Sequence, residues 1–166
     1  DYIDNSEDRF DFYNKKENRI PFDLDYMNKI TKGGLPNKTL NIALAGTGVG
    51  KSLFMCHCAA SNLQIGKNVL YITMEMAEER IAERIDANLM DYPIQSLGTL
   101  PKNVFNSKIE KIAQASIGKL IVKEYPTGAA HTGHFRALLN ELKLKKNFKP
   151  DICLLYTSDA ADEVVS

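Results

Sequence analysis

The run Ala45-Gly46-Thr47-Gly48-Val49-Gly50-Lys51-Ser52 combines the residue types that cradle a polyphosphate. Glycines let a turn take backbone conformations closed to other residues and bring its N–H groups against phosphate oxygens. Lys51 supplies a mobile positive charge for the β- and γ-phosphates, and the Ser52 hydroxyl is the expected ligand of the nucleotide's Mg²⁺. The strict motif has Gly where this chain has Ala45, a position that commonly tolerates Ala. All eight residues are therefore candidate contacts for ATP with Mg²⁺.

Glu75 is the second candidate. It lies in Met74-Glu75-Met76, just past the apolar run Val69-Leu70-Tyr71-Ile72. In open α/β sheets, ligands sit beyond the carboxyl ends of the strands. A carboxylate there can orient or deprotonate an attacking water, provided that its strand neighbours the one before the phosphate loop. The blander role is a partner for the N-terminal dipole of the next helix.

Other constellations carry less. Three consecutive helical residues cannot all face one ion, so Cys56 and Cys58 of Cys56-His57-Cys58 are expected in the core. His131 and His134 flank a Thr-Gly loop and are expected in solvent. Lys143, Lys145, Lys146 and Lys149 form a basic cluster that reads as a solvated face, with contact to a phosphate backbone as the sharper alternative.

The elements that must position these groups alternate in type. An apolar segment, Leu40-Asn41-Ile42-Ala43-Leu44, predicts a strand entering the phosphate loop. A helix follows over 52–64, with Leu53, Met55, Cys56, Ala59, Ala60 and Leu63 on its apolar face and Gly66 closing it. Residues 68–73 predict a continuously apolar strand of the parallel-sheet kind. Next come a helix over 77–89 with Ile81, Ala82, Ile85 and Leu89 inward, a loop over 92–100, and a helix over 106–116. A strand at 120–124, a turn at Tyr125-Pro126-Thr127-Gly128, a helix over 135–144 and a strand opening at Asp151-Ile152 complete the order. Upstream, Leu24, Met27 and Ile30 predict a short helix ended by Gly33-Gly34. Strands alternating with helices imply a parallel α/β sheet. Residues 1–18, charged and poor in aliphatics, read as a linker or docking arm.

Bulk composition sets limits. Lys+Arg and Asp+Glu both number 21, so no global positive field announces a nucleic acid, although a groove needs only local charge. The 166 residues, 44% hydrophobic, suffice for one domain with a core. Three cysteines without a Cys-x-x-Cys pair suit a reducing compartment. No long apolar stretch or secretory leader appears, the expectation for a soluble, unsecreted protein. The first residue, Asp1, suggests a piece of something longer.

The order of motifs is specific. Ile20-Pro21-Phe22, Leu24-Asp25 and Ile30-Thr31-Lys32-Gly33-Gly34 precede the phosphate loop. Leu70-Tyr71-Ile72-Thr73-Met74-Glu75-Met76, Arg84-Ile85-Asp86-Ala87-Asn88, Tyr125-Pro126-Thr127-Gly128 and Leu138-Leu139-Asn140-Glu141-Leu142-Lys143 follow it. From about Arg19 to about Ile152, this pattern resembles the RecA-type motor domain of DnaB-like hexameric replicative helicases, especially the T-even-like bacteriophage branch. The resemblance implies a RecA-like P-loop NTPase core, incomplete at its C-terminal side. It also implies that Gly46–Ser52 hold ATP and Mg²⁺ and that Glu75 and Lys51 are the catalytic residues. Further implied are a homo-hexameric ring on single-stranded DNA, primase and a helicase loader as partners, and the cytoplasm of an infected bacterium. The arm 1–18 would dock on the next subunit.

The end of the chain departs from that pattern. The family's next strand closes with an Asp that holds the Mg²⁺ water shell, due at about position 156, where this chain has Tyr156. Residues 153–163 resemble one reading frame of the adapter used in transposase-made sequencing libraries. Helicase sequence is thus expected to end near Ile152, with 153–166 a non-native tail, Asp159 a decoy, and the fourth strand poorly paired. On that reading the DNA loops, γ-phosphate sensor and arginine finger are missing and the fragment itself is inactive. A RecA-type recombinase or related ATPase is the rival. A small-molecule kinase would need a lid of arginines that this sequence does not display.

Overall fold

The computed structural model describes residues 6–14, 17–115 and 118–157, which form two compact units, Asp1–Ile42 and Ala43–Ser166. In the first unit, α1 spans Ser6–Asn14, so part of the expected arm is helical. Two short strands, β1 (Arg19–Ile20) and β2 (Leu35–Pro36), pair antiparallel around helix α2 (Asp25–Ile30). Arg19 ties the ends together, its guanidinium donating to the carbonyls of Thr31 (2.9 Å) and Gly34 (3.2 Å). Gly34 is required here: its φ is +117°, and a Cβ would collide with the Ile20 carbonyl.

The second unit is an α/β sandwich. Its elements run α3 (Lys51–Gln64), β3 (Val69–Thr73), α4 (Glu78–Leu89), α5 (Ile94–Leu97), α6 (Lys102–Gln114), β4 (Leu120–Glu124), α7 (Thr132–Lys146) and β5 (Ile152–Tyr156). The sheet order is β4-β3-β5, with both pairings parallel. Every residue of β3 is buried because both faces are covered. Val69 and Tyr71 pack with Cys56, Ala59, Ala60 and Leu63 of α3 and Ile81 and Ile85 of α4. Leu70 and Ile72 pack on the other side with Leu138 and Leu142 of α7 and with Phe148. A continuously apolar strand is what such double coverage requires.

The strand starts are clamped by one side chain. Asn68 accepts from the Lys119 N–H (3.1 Å) and donates to the Lys149 carbonyl (3.2 Å), while its own N–H donates to the Asp151 carboxylate (2.8 Å). This sets β4, β3 and β5 in one register, Val69 opposite both Leu120 and Ile152.

Several expectations need correction. Leu40–Leu44 is not a strand: it has no ladder partner among the described residues, and Leu40, Ile42 and Leu44 are 86%, 72% and 89% exposed. Apolar alternation makes a strand only where a neighbouring strand accepts its hydrogen bonds. Leu53 is 58% exposed, on the uncovered side of α3. The 92–100 loop contains the single helical turn α5, and the third long helix starts earlier than expected, at Lys102. The fourth strand does not pair poorly: Ile152–Tyr156 is in register with β3 along its whole length, so Cys153–Tyr156 belong to the sheet. Asp159 lies outside the described residues.

Candidate functional site

The phosphate loop leads directly into α3. Gly48 (φ +75°) and Gly50 (φ +105°) both lie in the left-handed region, and a Cβ on either would meet nothing within 4 Å. Backbone conformation therefore demands glycine here, and the loop's inner surface opens onto free space. The Val49 N–H closes the turn on the Gly46 carbonyl (3.4 Å), and the Gly50 carbonyl accepts the first helical bond from Phe54 (2.9 Å). No side chain caps α3. The loop thus presents the positive end of a 14-residue helix to solvent, flanked by half-buried Lys51 and Ser52. A helix N-terminus with glycine-freed backbone is an arrangement suited to an anion.

Glu75 is placed by a tight turn at the carboxyl end of β3. The Thr73 hydroxyl donates to the Met76 carbonyl (2.8 Å) and accepts from the Met76 N–H (3.0 Å), so Glu75 bulges outward between them. Thr127, in the turn after β4, braces the bulge by donating to the Met74 carbonyl (2.7 Å). Glu124 accepts from the Glu78 N–H (3.2 Å), supplying the carboxylate at the start of α4. Glu75 is thereby left exposed at the strand end. Its strand neighbours are β4 and β5, so the condition that it lie beside a strand entering the phosphate loop is not met.

The cradle and the strand ends meet at Ser52. Arg84, from α4, donates to its hydroxyl across 2.6 Å. The phenol of Tyr156, paired with Thr73 at the end of β5, lies near enough to Glu75, Ser52 and Arg84 for each to act on its ionisation. Burial, then the hydrogen bond and charge of Glu75, push the Tyr156 pKa up, with Ser52 and Arg84 opposing more weakly. The phenol is therefore neutral near pH 7. Beneath it, the Tyr71 hydroxyl is buried against the Cys56 thiol with no conventional partner, and burial raises the pKa of both groups.

The two halves of the site fit the expected ligand differently. The phosphate half offers backbone donors, open space and Lys51. The magnesium half should offer a hydroxyl and a carboxylate. Here the hydroxyl holds a guanidinium, and a neutral phenol stands where the resemblance calls for Asp. These residues do not fit a magnesium ion in this arrangement.

The remaining sequence candidates lie outside this group. His134 lies in the first turn of α7, and His131, in extended conformation, is its N-cap, accepting from the Gly133 N–H (3.1 Å) while its own N–H donates to His134 Nδ1 (3.3 Å); both are exposed, as expected. Cys56 and Cys58 are buried. Among the described residues, no group of three or more His, Cys, Asp or Glu could hold a metal. Lys143, Lys145, Lys146 and Lys149 are exposed, with Lys145 paired to Glu141 (2.8 Å). Arg84 is the site residue that motif reading gave no role. The available signal was its position one turn beyond buried Ile81, on a helix that follows the Glu75 strand.

Comparison with known proteins fits this geometry. Residues 20–114 match the KaiC ATPase family. The chain is 51% identical over 93% of its length to the DnaB-like replicative helicase of Enterobacteria phage T4, covering 33% of that protein. That share reaches beyond the expected limits of Arg19 and Ile152. The DNA repair proteins RadA of Rickettsia conorii and Rickettsia felis are 31% and 30% identical over 75% of the chain, covering 30% of each. The chain thus spans about a third of the length of the curated relatives it matches. No described helix is long and apolar enough to cross a membrane.

Proposed function

The chain belongs to the KaiC-type, RecA-like ATPase family, and from that premise we propose that Ala45–Ser52 bind the triphosphate of ATP in the motor domain of a replicative DNA helicase. The observation that carries this reading is the pair of left-handed glycines, Gly48 and Gly50, opening onto the uncapped N-terminus of α3. Lys51 meets the β- and γ-phosphates as a point charge. Glu75 is the candidate base for an attacking water. Its proximity to the Tyr156 phenol favours binding without turnover in this chain.

In the full-length protein, hydrolysis would drive translocation on single-stranded DNA and duplex unwinding by a homo-hexameric ring. Primase and a helicase loader would be its partners, in the cytoplasm of the infected host. The similarity to the phage T4 helicase supports this assignment. Residues 1–18 would act as the docking arm. The non-native origin of residues 153–166, which include most of β5, is part of the same proposal and is checked by resequencing across Ile152. A recombinase or repair ATPase is the rival, supported by the lower identity to RadA. Unwinding rather than strand exchange by the full-length protein would decide.

Titration of a fluorescent ATP analogue into the 166-residue chain tests the binding step. Removing the Lys51 charge in Lys51→Ala is expected to weaken binding by about tenfold or more, the equivalent of about 1.4 kcal/mol. Equal signals from both proteins would remove the proposed site.

A further inference from the structure

Ser52 Oγ, the atom through which a P-loop ordinarily holds its divalent ion, is already engaged by a cation. The Arg84 guanidinium donates to it across 2.6 Å, reaching from α4 to the first turn of α3. Packing makes this contact deliberate: Ile81 and Ile85, flanking Arg84 in sequence, are buried against α3 and β3, which fixes the helix face that carries the guanidinium. A magnesium ion needs ligand oxygens at about 2.0–2.1 Å in near-octahedral order. It cannot share this oxygen with a guanidinium at hydrogen-bond distance without displacing it.

The surrounding charges do not favour an added divalent cation. Lys51, Arg84 and the α3 N-terminus are positive, and Glu75 is the carboxylate at this end of β3. Tyr156, at the end of the adjacent strand, brings a phenol and no carboxylate to the divalent-ion position. A cluster of this sign attracts metal-free ATP more strongly than its magnesium complex, because the free nucleotide carries more negative charge.

We propose that Arg84 takes the place of the magnesium ion beside Ser52, so that the cradle binds metal-free nucleotide. The inference rests on the nucleotide-binding reading above and adds the identity of the counter-ion. Arg84 is assigned as a binding residue that reaches the phosphates from the Ser52 side.

The test is a titration of the chain with a fluorescent ATP analogue in excess EDTA and in excess MgCl₂ at matched ionic strength. Affinity in EDTA is expected to equal or exceed that in MgCl₂. Arg84→Gln should weaken binding in EDTA by about tenfold or more, as loss of a charge-assisted contact does, while Arg84→Lys keeps most of it. Tyr156→Asp, which restores a carboxylate, should make MgCl₂ tighten binding. Wild-type binding more than about threefold tighter in MgCl₂ than in EDTA would overturn the inference and leave the nucleotide site standing, as would Arg84→Gln binding like wild type in EDTA. Binding in neither buffer would overturn the nucleotide site and this inference with it. The wild-type pair of titrations decides without any variant, and circular dichroism confirms that each variant retains its helices.

Discussion

Two five-residue apolar runs, Leu40–Leu44 and Val69–Thr73, each lead into a candidate functional turn, yet they have opposite fates. The second is the centre of the sheet, with Ile72 2% exposed. The first leaves Ile42 72% exposed and makes no ladder among the described residues. Composition leans the same way, since 69–73 is rich in β-branched and aromatic residues and 40–44 is not, but it does not decide the outcome. Neighbours do: β3 is flanked by β4 and β5, reached through crossovers that contain α4 to α7, and receives α3 and α4 on one face and α7 on the other. A strand is a property of a sheet, since its backbone hydrogen bonds and both its faces belong to partners distant in sequence.

Amide hydrogen exchange measures that difference most directly. Amides of Leu70–Thr73 should exchange at least about a thousandfold more slowly than those of Asn41–Leu44, a ratio equivalent to about 4 kcal/mol of opening free energy. Comparable protection in the two segments would break the contrast and show that 40–44 is paired in solution.

Mutation gives the same comparison in stability. Ile72→Ala removes fully packed methyl groups and is expected to cost about 2–5 kcal/mol in urea unfolding. Ile42→Ala should stay within about 0.5 kcal/mol, the range of surface substitutions. Where Ile72→Ala abolishes folding, Ile72→Val should still fold with a loss of about 1 kcal/mol. A matching loss at Ile42 would mean that its exposure is not the solution state.

The same contrast explains what the amino-acid sequence revealed. Val69–Thr73 was legible because burial on both faces leaves its mark on every residue of the run. Gly48, Gly50 and Lys51 were legible because a phosphate cradle needs those types at that spacing within a single turn. Leu40–Leu44 was misread, since the pattern records a capacity to pair and not the presence of a partner. The meeting of Arg84, Tyr156 and Glu75 around Ser52 was illegible for a related reason. Arg84 lies 32 residues from Ser52, and only the packing of α4 on α3 and the register of β5 on β3 bring the three together. Motif reading saw Tyr156 standing where the family has Asp, in a tail of non-native origin from about Cys153. The register adds that Tyr156 ends a fully paired strand, which the poor-pairing expectation missed.

Alkaline pH gives the smallest effect and assigns it to one side of the comparison. Burial pushes Cys58, on α3, up to about 11 from 9.0. Burial and the neighbouring Cys56 thiol raise Tyr71, in β3, from its usual 10.0. Both groups ionise more readily in the unfolded chain than in the folded one. The Cys58 contribution is therefore complete below about pH 9 and is lost as pH rises from 9 to 11, while that of Tyr71 is lost only as pH rises above about 10. Urea midpoints should fall between pH 8 and pH 10.5, with about 2 kcal/mol of the loss traceable to Cys58. Cys58→Ala and Tyr71→Phe should each flatten the profile. Tyr71→Phe should cost little at pH 7, because its hydroxyl has no conventional partner to lose. Leu40–Leu44 contains no titratable side chain, so a decline unchanged by either substitution would locate the pH sensitivity outside both α3 and β3.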